Sequence, residues 1–216
     1  GRNRVFPPIA DFVKEKLYED QGLHCEVAKL KMDFMTRAQS LIHGDLHTGS
    51  IFINEESTKV FDPEFCFYGP MGYDIGNVIA NMIFAWANGD AAGAADFCKW
   101  VEDVLVDVIN MTKEKMEKYY DEHVTDTMCR NELYKKYYMD TIIEDTSAVA
   151  GLELIRRIVG MANVKDITTI ADEAKRARAE KICITAAIDF IKNRSDKKCG
   201  KCFLKTLKDA IAEVDA

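Results

Sequence analysis

The sequence predicts a mostly α fold with a small β insert (α+β). Apolar residues recur at helical spacing over most of the 216 residues. Short apolar runs bounded by polar turns are confined to residues 41–61, where they predict strands. Hydrophobic residues make up 48% and charged residues 30% of the chain, a balance typical of globular proteins. Because no gap resembles a long flexible linker, we expect residues 1–216 to form a single domain.

Each predicted helix carries an apolar stripe, and the clearest stripe runs from Ile75 to Trp86. Gly22 is predicted to separate the first two helices, Asp74 to cap the third, and the segment 88–90 to end it. The predicted helices cover residues 10–18, 23–38, 75–86, 97–108, 113–122, 132–159, 171–191 and 203–214, and the predicted strands cover residues 41–42, 51–53 and 59–61.

Charge and cysteine usage narrow the class of protein. The net charge of −7 argues against nucleic acid and anionic membranes as partners, so the basic stretch from Lys192 to Lys205 is interpreted as a solvated face. Seven cysteines without framework spacing indicate reduced thiols and a cytoplasmic protein. Cys199 and Cys202 have the spacing of half a zinc site, but no second pair completes it. We interpret them as two free thiols near a helix start.

Two carboxylate motifs in the β insert indicate the chemistry. Asp45 lies on a turn within His43-Gly-Asp-Leu-His47, directly after a short apolar run. Asp62, Pro63 and Glu64 directly follow the apolar pair Val60-Phe61. In phosphoryl transfer one carboxylate orients the attacking hydroxyl, and others hold the magnesium that bridges the nucleotide phosphates. Together the two motifs favour phosphoryl transfer.

Other interpretations of these motifs remain open from the residues alone. His43, Asp45 and His47 could share one face of an extended segment and bind the metal of a hydrolase. Alternatively, both histidines could merely form hydrogen bonds within the turn. The second motif could be an ordinary turn at a strand end, where Asp-Pro is common.

Longer strings resemble one family. The string from His43 to Ile51, with Asp62-Pro-Glu-Phe65 and Tyr68-Gly-Pro-Met-Gly72, resembles the methylthioribose kinase family. That family is a branch of the protein-kinase-like fold, which also includes aminoglycoside and choline kinases. The stretch from Thr146 to Gly160 agrees, so the resemblance covers essentially the whole chain.

The resemblance implies an activity and its residues. The family phosphorylates the 1-hydroxyl of 5-methylthioribose with ATP and Mg²⁺ in methionine salvage. Asp45 would be the catalytic carboxylate and would bind the thiosugar together with Arg156 and Arg157. The segment Asp62-Pro63-Glu64 would bind the nucleotide, and its two carboxylates would hold magnesium. A cytoplasmic homodimer is also implied.

Two details qualify these roles. Arg156 and Arg157 are neighbours on an apolar helix, about 100° apart, so one or both must lie at the edge of the buried face. From the residues alone, a surface arginine or one paired with Glu153 is the simpler interpretation. Ser50 occupies the position where most related kinases have a magnesium-binding Asn, and the methylthioribose kinases share this serine. A serine hydroxyl is the poorer ligand, which leaves the second metal contact open.

The nucleotide cradle is expected to be missing. Only 42 residues precede His43, they have helical patterns, and no G-x-G-x-x-G occurs in the chain. The resemblance therefore implies a C-terminal kinase lobe without the nucleotide-binding lobe, and an isolated chain with negligible kinase activity. The alternatives are another small-molecule kinase of the aminoglycoside or choline type, and a non-catalytic binding protein descended from a kinase.

Overall fold

The computed structural model describes residues 3–216 and confirms a mostly helical fold with a small β portion. The first two residues of the predicted domain lie outside this range. The helices are α1 (Ala10–Val13), α2 (Gln21–Thr36), α3 (Gly72–Ala92), α4 (Ala95–His123), α5 (Glu132–Val159), α6 (Lys165–Thr168), α7 (Glu173–Lys192) and α8 (Gly200–Asp215). A 3-10 turn over Pro7–Ile9 precedes α1, which continues as a π-helix over Lys14–Tyr18.

The β portion consists of two separate antiparallel pairs of three-residue strands. The strands are β1 (Ser40–Ile42), β2 (Ile51–Ile53), β3 (Thr58–Val60) and β4 (Phe67–Gly69). β1 pairs with β4, and β2 pairs with β3. The segments 43–50 and 61–66 both connect one pair to the other. This topology brings the two carboxylate motifs to the same place.

The core lies between the helices. α3 packs on α5, α5 packs on α7, and α8 covers α4 and α7. Fully buried side chains such as Ile83, Leu154 and Phe190 fill the space between them. α3 and α5 approach to backbone contact at Gly76, where an added Cβ would lie 2.6 Å from the carbonyl oxygen of Thr146. The absence of a side chain at Gly76 therefore permits the close separation of these two helices.

Two predicted helix breaks are wrong. Gly22 lies inside the first turn of α2, because the Asp20 side chain caps this helix by accepting a hydrogen bond from Leu23 N at 2.9 Å. Gly89 lies inside α3 and packs against Phe97, so the small residue serves packing rather than termination. α3 ends instead at Gly93, whose φ of 76° is the left-handed conformation typical of a residue just past a helix.

Other predicted helix and strand boundaries also differ from those in the structure. The two helices predicted over residues 97–108 and 113–122 are one helix, α4, since the four residues between them include neither glycine nor proline and Ile109 continues the buried stripe. The strand β4 and the one-turn helix α6 were not predicted, because three or four residues are too short to show a period. No helix within residues 3–216 is long and apolar enough to cross a membrane.

The basic stretch from Lys192 to Lys205 is only partly a solvated face. Lys197 is buried, and its Nζ lies 2.6 Å from Asp189 Oδ2. Lys198 Nζ lies 2.8 Å from Glu144 Oε1 on α5. The prediction is wrong for Lys197 because Asp189 at the end of α7 neutralises it, and a buried cation needs such a partner.

Candidate active site

Asp74 holds the turn that carries Asp45. Its Oδ2 accepts a hydrogen bond from His43 N at 2.6 Å, and its Oδ1 accepts one from Gly44 N at 3.0 Å. The prediction that Asp74 caps α3 is therefore wrong, since α3 begins at Gly72 with no side-chain cap. The carboxylate satisfies two backbone donors of a turn that would otherwise leave them unpaired. Asp74 thus supports the candidate site, a contact that the sequence did not reveal.

Gly44 brings the two carboxylate motifs together. Its φ is 87°, a conformation that residues with a Cβ rarely adopt. A Cβ at this position would also collide with the carbonyl oxygen of Phe65. The turn around Asp45 is thus packed against the segment that contains Asp62 and Glu64.

The Asp45 side chain is accessible and lies between two cationic or potentially cationic groups. It is 41% exposed, and its Oδ1 is 4.0 Å from an Nη of Arg157. Its Oδ2 is 4.0 Å from His47 Nε2. Both distances exceed those of hydrogen bonds, so the described residues leave the carboxylate oxygens available to accept a bond from a ligand. A general base needs this accessibility.

The two histidines form hydrogen bonds within the turn and to the facing segment 61–66. His43 Nε2 donates to the carbonyl of Phe61 at 2.9 Å, while its Nδ1 accepts from Asp45 N at 3.4 Å. The His47 ring is hydrogen-bonded to the Ser50 hydroxyl at 3.3 Å. Among residues 3–216, no group of three His, Cys, Asp or Glu side chains is arranged to hold a metal ion. This geometry counts against the hydrolase interpretation and favours the structural one.

Asp62 and Glu64 form an exposed pair of carboxylates. Asp62 has a φ of 66°, a strained conformation for a residue other than glycine and one that clusters at functional sites. A turn follows, closed by a hydrogen bond from Cys66 N to Pro63 O at 3.1 Å. Neither carboxylate forms an ion pair with a described residue. Two carboxylates without a protein cation are a donor set that fits a hard divalent cation.

Arg156 and Arg157 are held by one buried carboxylate on the same helix. Glu153 is 4% exposed, and its Oε1 accepts from Arg157 Nε at 2.7 Å. Its Oε2 accepts from Arg156 Nε at 2.6 Å. Burial alone would lower the pKa of Arg156, but the hydrogen bond and charge of Glu153 outweigh it and raise this pKa. The pairing with Glu153 considered from the sequence is confirmed.

The two arginines differ in position. The Arg156 side chain is 52% exposed, whereas the Arg157 side chain is 18% exposed and lies beside Asp45. Both therefore lie at the edge of the buried face, as helical geometry predicted. Tyr73 on α3 is a further neighbour: its pKa is raised chiefly by burial, and Arg156 opposes this rise. The sequence had not singled out this tyrosine.

Ser50 is buried within the turn. Its hydroxyl contacts the His47 ring, and its carbonyl accepts a hydrogen bond from Phe61 N at 3.1 Å. The side chain is thus already engaged by the protein.

A cavity lies away from the Asp45 site. It has a volume of about 650 Å³ between the end of α4 and the start of α5, with Tyr120, Tyr134 and Tyr138 in its wall. None of the predicted site residues lines it. The site around Asp45 is instead an open surface formed by turns and the edge of α5.

Comparison with known proteins agrees with this geometry. The model of the phosphotransferase enzyme family matches residues 8–105, a range that includes Asp45, Asp62, Glu64 and Asp74. Methylthioribose kinase 1 of Oryza sativa subsp. japonica is 37% identical over 211 residues, covering 89% of this chain and 48% of that protein.

Bacterial relatives give the same result. Methylthioribose kinase of Bacillus pumilus is 36% identical over 178 residues, covering 82% of this chain and 44% of that protein. Methylthioribose kinase of Escherichia coli O45:K1 is 33% identical over 207 residues, with coverages of 89% and 49%. The chain spans about half the length of the curated relatives it matches. The resemblance is therefore confirmed: the chain is related to the phosphotransferase enzyme family and, over most of its own length, to methylthioribose kinases.

Proposed function

We propose that this chain carries the catalytic and acceptor-binding part of an ATP-dependent methylthioribose kinase. The reaction would convert 5-methylthioribose to its 1-phosphate, a step of methionine salvage. One observation supports this most directly: buried Glu153 orients Arg157 so that it lies 4.0 Å from Asp45. An arginine fixed beside a catalytic carboxylate can bind the hydroxyls of a sugar and position one of them for attack.

Asp45 would act on the acceptor. The 1-hydroxyl gives its proton to the Asp45 carboxylate as its oxygen bonds to the γ-phosphorus of ATP, and the bond from that phosphorus to the ADP oxygen breaks. Arg157 and the more exposed Arg156 would hold the neighbouring hydroxyls. A magnesium ion held by Asp62 and Glu64 would neutralise charge on the phosphate oxygens. Since the Ser50 hydroxyl is engaged by His47, we assign the second protein contact to Glu64 rather than Ser50.

We further propose that residues 1–216 correspond to the C-terminal lobe of a protein-kinase-like fold. Efficient transfer would then require a nucleotide-binding lobe that these residues do not supply. The cytoplasmic location and the homodimer implied by the resemblance belong to the same proposal.

Acceptor binding by the chain tests the proposal. We expect 5-methylthioribose to bind in isothermal titration calorimetry or ligand-observed NMR, and kanamycin and choline not to bind. Arg157→Ala should weaken binding at least about tenfold, since it leaves hydroxyl groups of the sugar unpaired. Arg176→Ala is the matched control, because Arg176 pairs with buried Glu180 at the same i,i+4 spacing on α7.

Three results would contradict the proposal. Preferential binding of an aminoglycoside or of choline would favour the other small-molecule kinases. Equal loss of binding in both arginine variants would remove the specific role of Arg157. An Asp45→Ala variant that preserves the biological role of the complete protein would favour a non-catalytic binding protein.

A further inference from the structure

Two thiols lie in contact at the start of α8. The Sγ atoms of Cys199 and Cys202 are 3.1 Å apart, and both side chains are partly exposed. Cys199 is the residue that precedes the helix, and Cys202 lies in its first turn. Both residues are free thiols near a helix start, as the sequence predicted. By contrast, Cys98 and Cys183 are buried, which raises the pKa of each.

The backbone around the two thiols is fixed by neighbouring helices. Gly200 N donates a hydrogen bond to Asn110 Oδ1 on α4 at 2.9 Å. Gly200 also packs so closely on α4 that a Cβ there would collide with the carbonyl oxygen of Val106. On the other side, Lys198 is paired with Glu144 on α5. The two sulfur atoms are therefore held together by a rigid support and not by a mobile tail.

The surroundings favour a thiolate at Cys202. Backbone N–H groups at the start of a helix and the positive end of its dipole stabilise a negative charge. Burial alone would raise the pKa of Cys202, but hydrogen bonds from the Cys199 thiol and from backbone N–H groups outweigh it. The charge of Lys197 acts in the same direction, and the pKa of Cys202 is lowered.

We propose that Cys199 and Cys202 form a redox-active dithiol that exchanges with low-molecular-weight disulfides. The Cys202 thiolate attacks one sulfur of the small disulfide, breaks its S–S bond and releases one thiolate. The Cys199 thiolate then attacks Cys202 Sγ and releases the second. In total two protein thiols are oxidised to one intramolecular disulfide, and the small disulfide is reduced to two thiols, which take up the two protons. This inference is independent of the proposed kinase activity.

Glutathione disulfide is the probe for the test. The reduced full chain is incubated with it, quenched in acid, alkylated, digested with trypsin and analysed by mass spectrometry. Trypsin cleaves after Lys201, between the two cysteines, so an intramolecular disulfide joins two tryptic peptides that otherwise separate. We expect this joined pair in the wild type, with no lasting glutathione adduct on either residue. Cys199→Ser should instead accumulate the adduct on Cys202, because the second attack is lost.

Exposed Cys25 is the internal control for reactivity. Alkylation with iodoacetamide should be several-fold faster at Cys202 than at Cys25 at neutral pH, because a lower pKa gives more thiolate. Equal rates, or stable adducts on both Cys199 and Cys202 without a joined pair, would overturn the proposal. Stoichiometric zinc that protects both thiols from alkylation in the purified chain would overturn it as well. The mass spectrum of the wild-type chain tests the proposal by itself, so the test does not depend on whether the Cys199→Ser variant folds.

Discussion

The position of Asp45 depends on Asp74, which lies almost thirty residues further along the chain. Its two oxygens accept hydrogen bonds from the backbone N–H groups of His43 and Gly44, directly before Asp45, the proposed catalytic carboxylate. Hydrogen bonds to a charged acceptor are stronger than neutral ones, and leaving the donors unpaired adds a further penalty. Asp74 is thus a positioning residue for the turn.

Replacing Asp74 by alanine should loosen that turn. We expect Asp74→Ala to lower the free energy of unfolding by about 1–3 kcal/mol, because two backbone donors lose a charged partner. Urea unfolding measures this change, and amide hydrogen exchange should show faster exchange at His43 and Gly44. Asp96→Ala is the control: Asp96 also lies in the first turn of a helix, but it is exposed and bonds no described side chain or backbone group. An equal loss in both variants would contradict the role of Asp74.

Single residues could be predicted from the sequence when their signal is local. Short motifs single out Asp45, Asp62 and Glu64, whose roles stay a prediction. The pairing of Glu153 is confirmed, and it was predictable because Glu153 lies three and four residues before the two arginines. Asp74 was misassigned because an aspartate before an apolar helical stripe looks like an N-cap. Nothing in its neighbourhood indicates that its partners are His43 and Gly44.

At the scale of elements, the distance between α3 and α5 determines the geometry of the site. α3 carries Asp74, which holds the turn around Asp45, whereas α5 carries Arg157 on the other side of that carboxylate. The contact of Gly76 with the Thr146 carbonyl keeps the two helices close. A shift of α5 would change the distance from Arg157 to Asp45 directly.

A methyl group at Gly76 should separate these helices. The added Cβ would meet a backbone carbonyl, which cannot rotate away, so we expect Gly76→Ala to cost about 1–3 kcal/mol of unfolding free energy. Acceptor binding should weaken in parallel. Gly22→Ala is the matched control, since an added Cβ there would meet side-chain atoms of Asp20 and Lys192 at 3.2 Å and 3.5 Å and no backbone atom. Alanine favours helices, so this variant should be neutral or up to about 1 kcal/mol more stable. Equal stability of the two variants in urea unfolding would contradict the expectation.

The long helices could be predicted from the sequence, but the residues at which they end were harder to predict. The 28 residues of α5 have the predicted bounds, because an Asn cap and a glycine delimit a continuous stripe. Gly22 and Gly89 misled the prediction because a glycine that ends a helix and one that permits close packing look alike in sequence. The strand β4 is defined by its pairing with β1, which is a long-range contact.

At the scale of the whole molecule, the β portion exposes a large apolar surface. Phe52, Ile53 and Tyr68 are 63%, 75% and 68% exposed, and Leu41 and Phe65 are exposed as well. Large exposed apolar side chains concentrated on one part of a protein are typical of an interaction surface. It lies on the strands and turns that carry Asp45 and Asp62, where a nucleotide-binding lobe and an adenine ring would pack under the proposed function.

The isolated chain should therefore transfer phosphate at a negligible rate. Asp45 and the arginines can position the acceptor, but γ-phosphate transfer also requires groups that hold the nucleotide phosphates. A coupled ADP-release assay with ATP, magnesium and 5-methylthioribose measures this rate. Turnover near that of a complete methylthioribose kinase would show that these 216 residues suffice, and would refute the proposed lobe assignment.

The two small sheets are also expected to unfold locally before the helices do. An isolated pair of three-residue strands is marginally stable in water, whereas helices packed around a common core open only with the whole domain. We therefore expect Asp45 and Asp62 to lie in the least cooperative part of the fold, which contacts the helices through the hydrogen bonds of Asp74 and the packing of Phe67 on Phe34 and Tyr73. Hydrogen exchange should begin in these strands long before it reaches α3, α5 and α7. Under the proposed function, we expect this surface to gain order when a nucleotide-binding lobe packs on it.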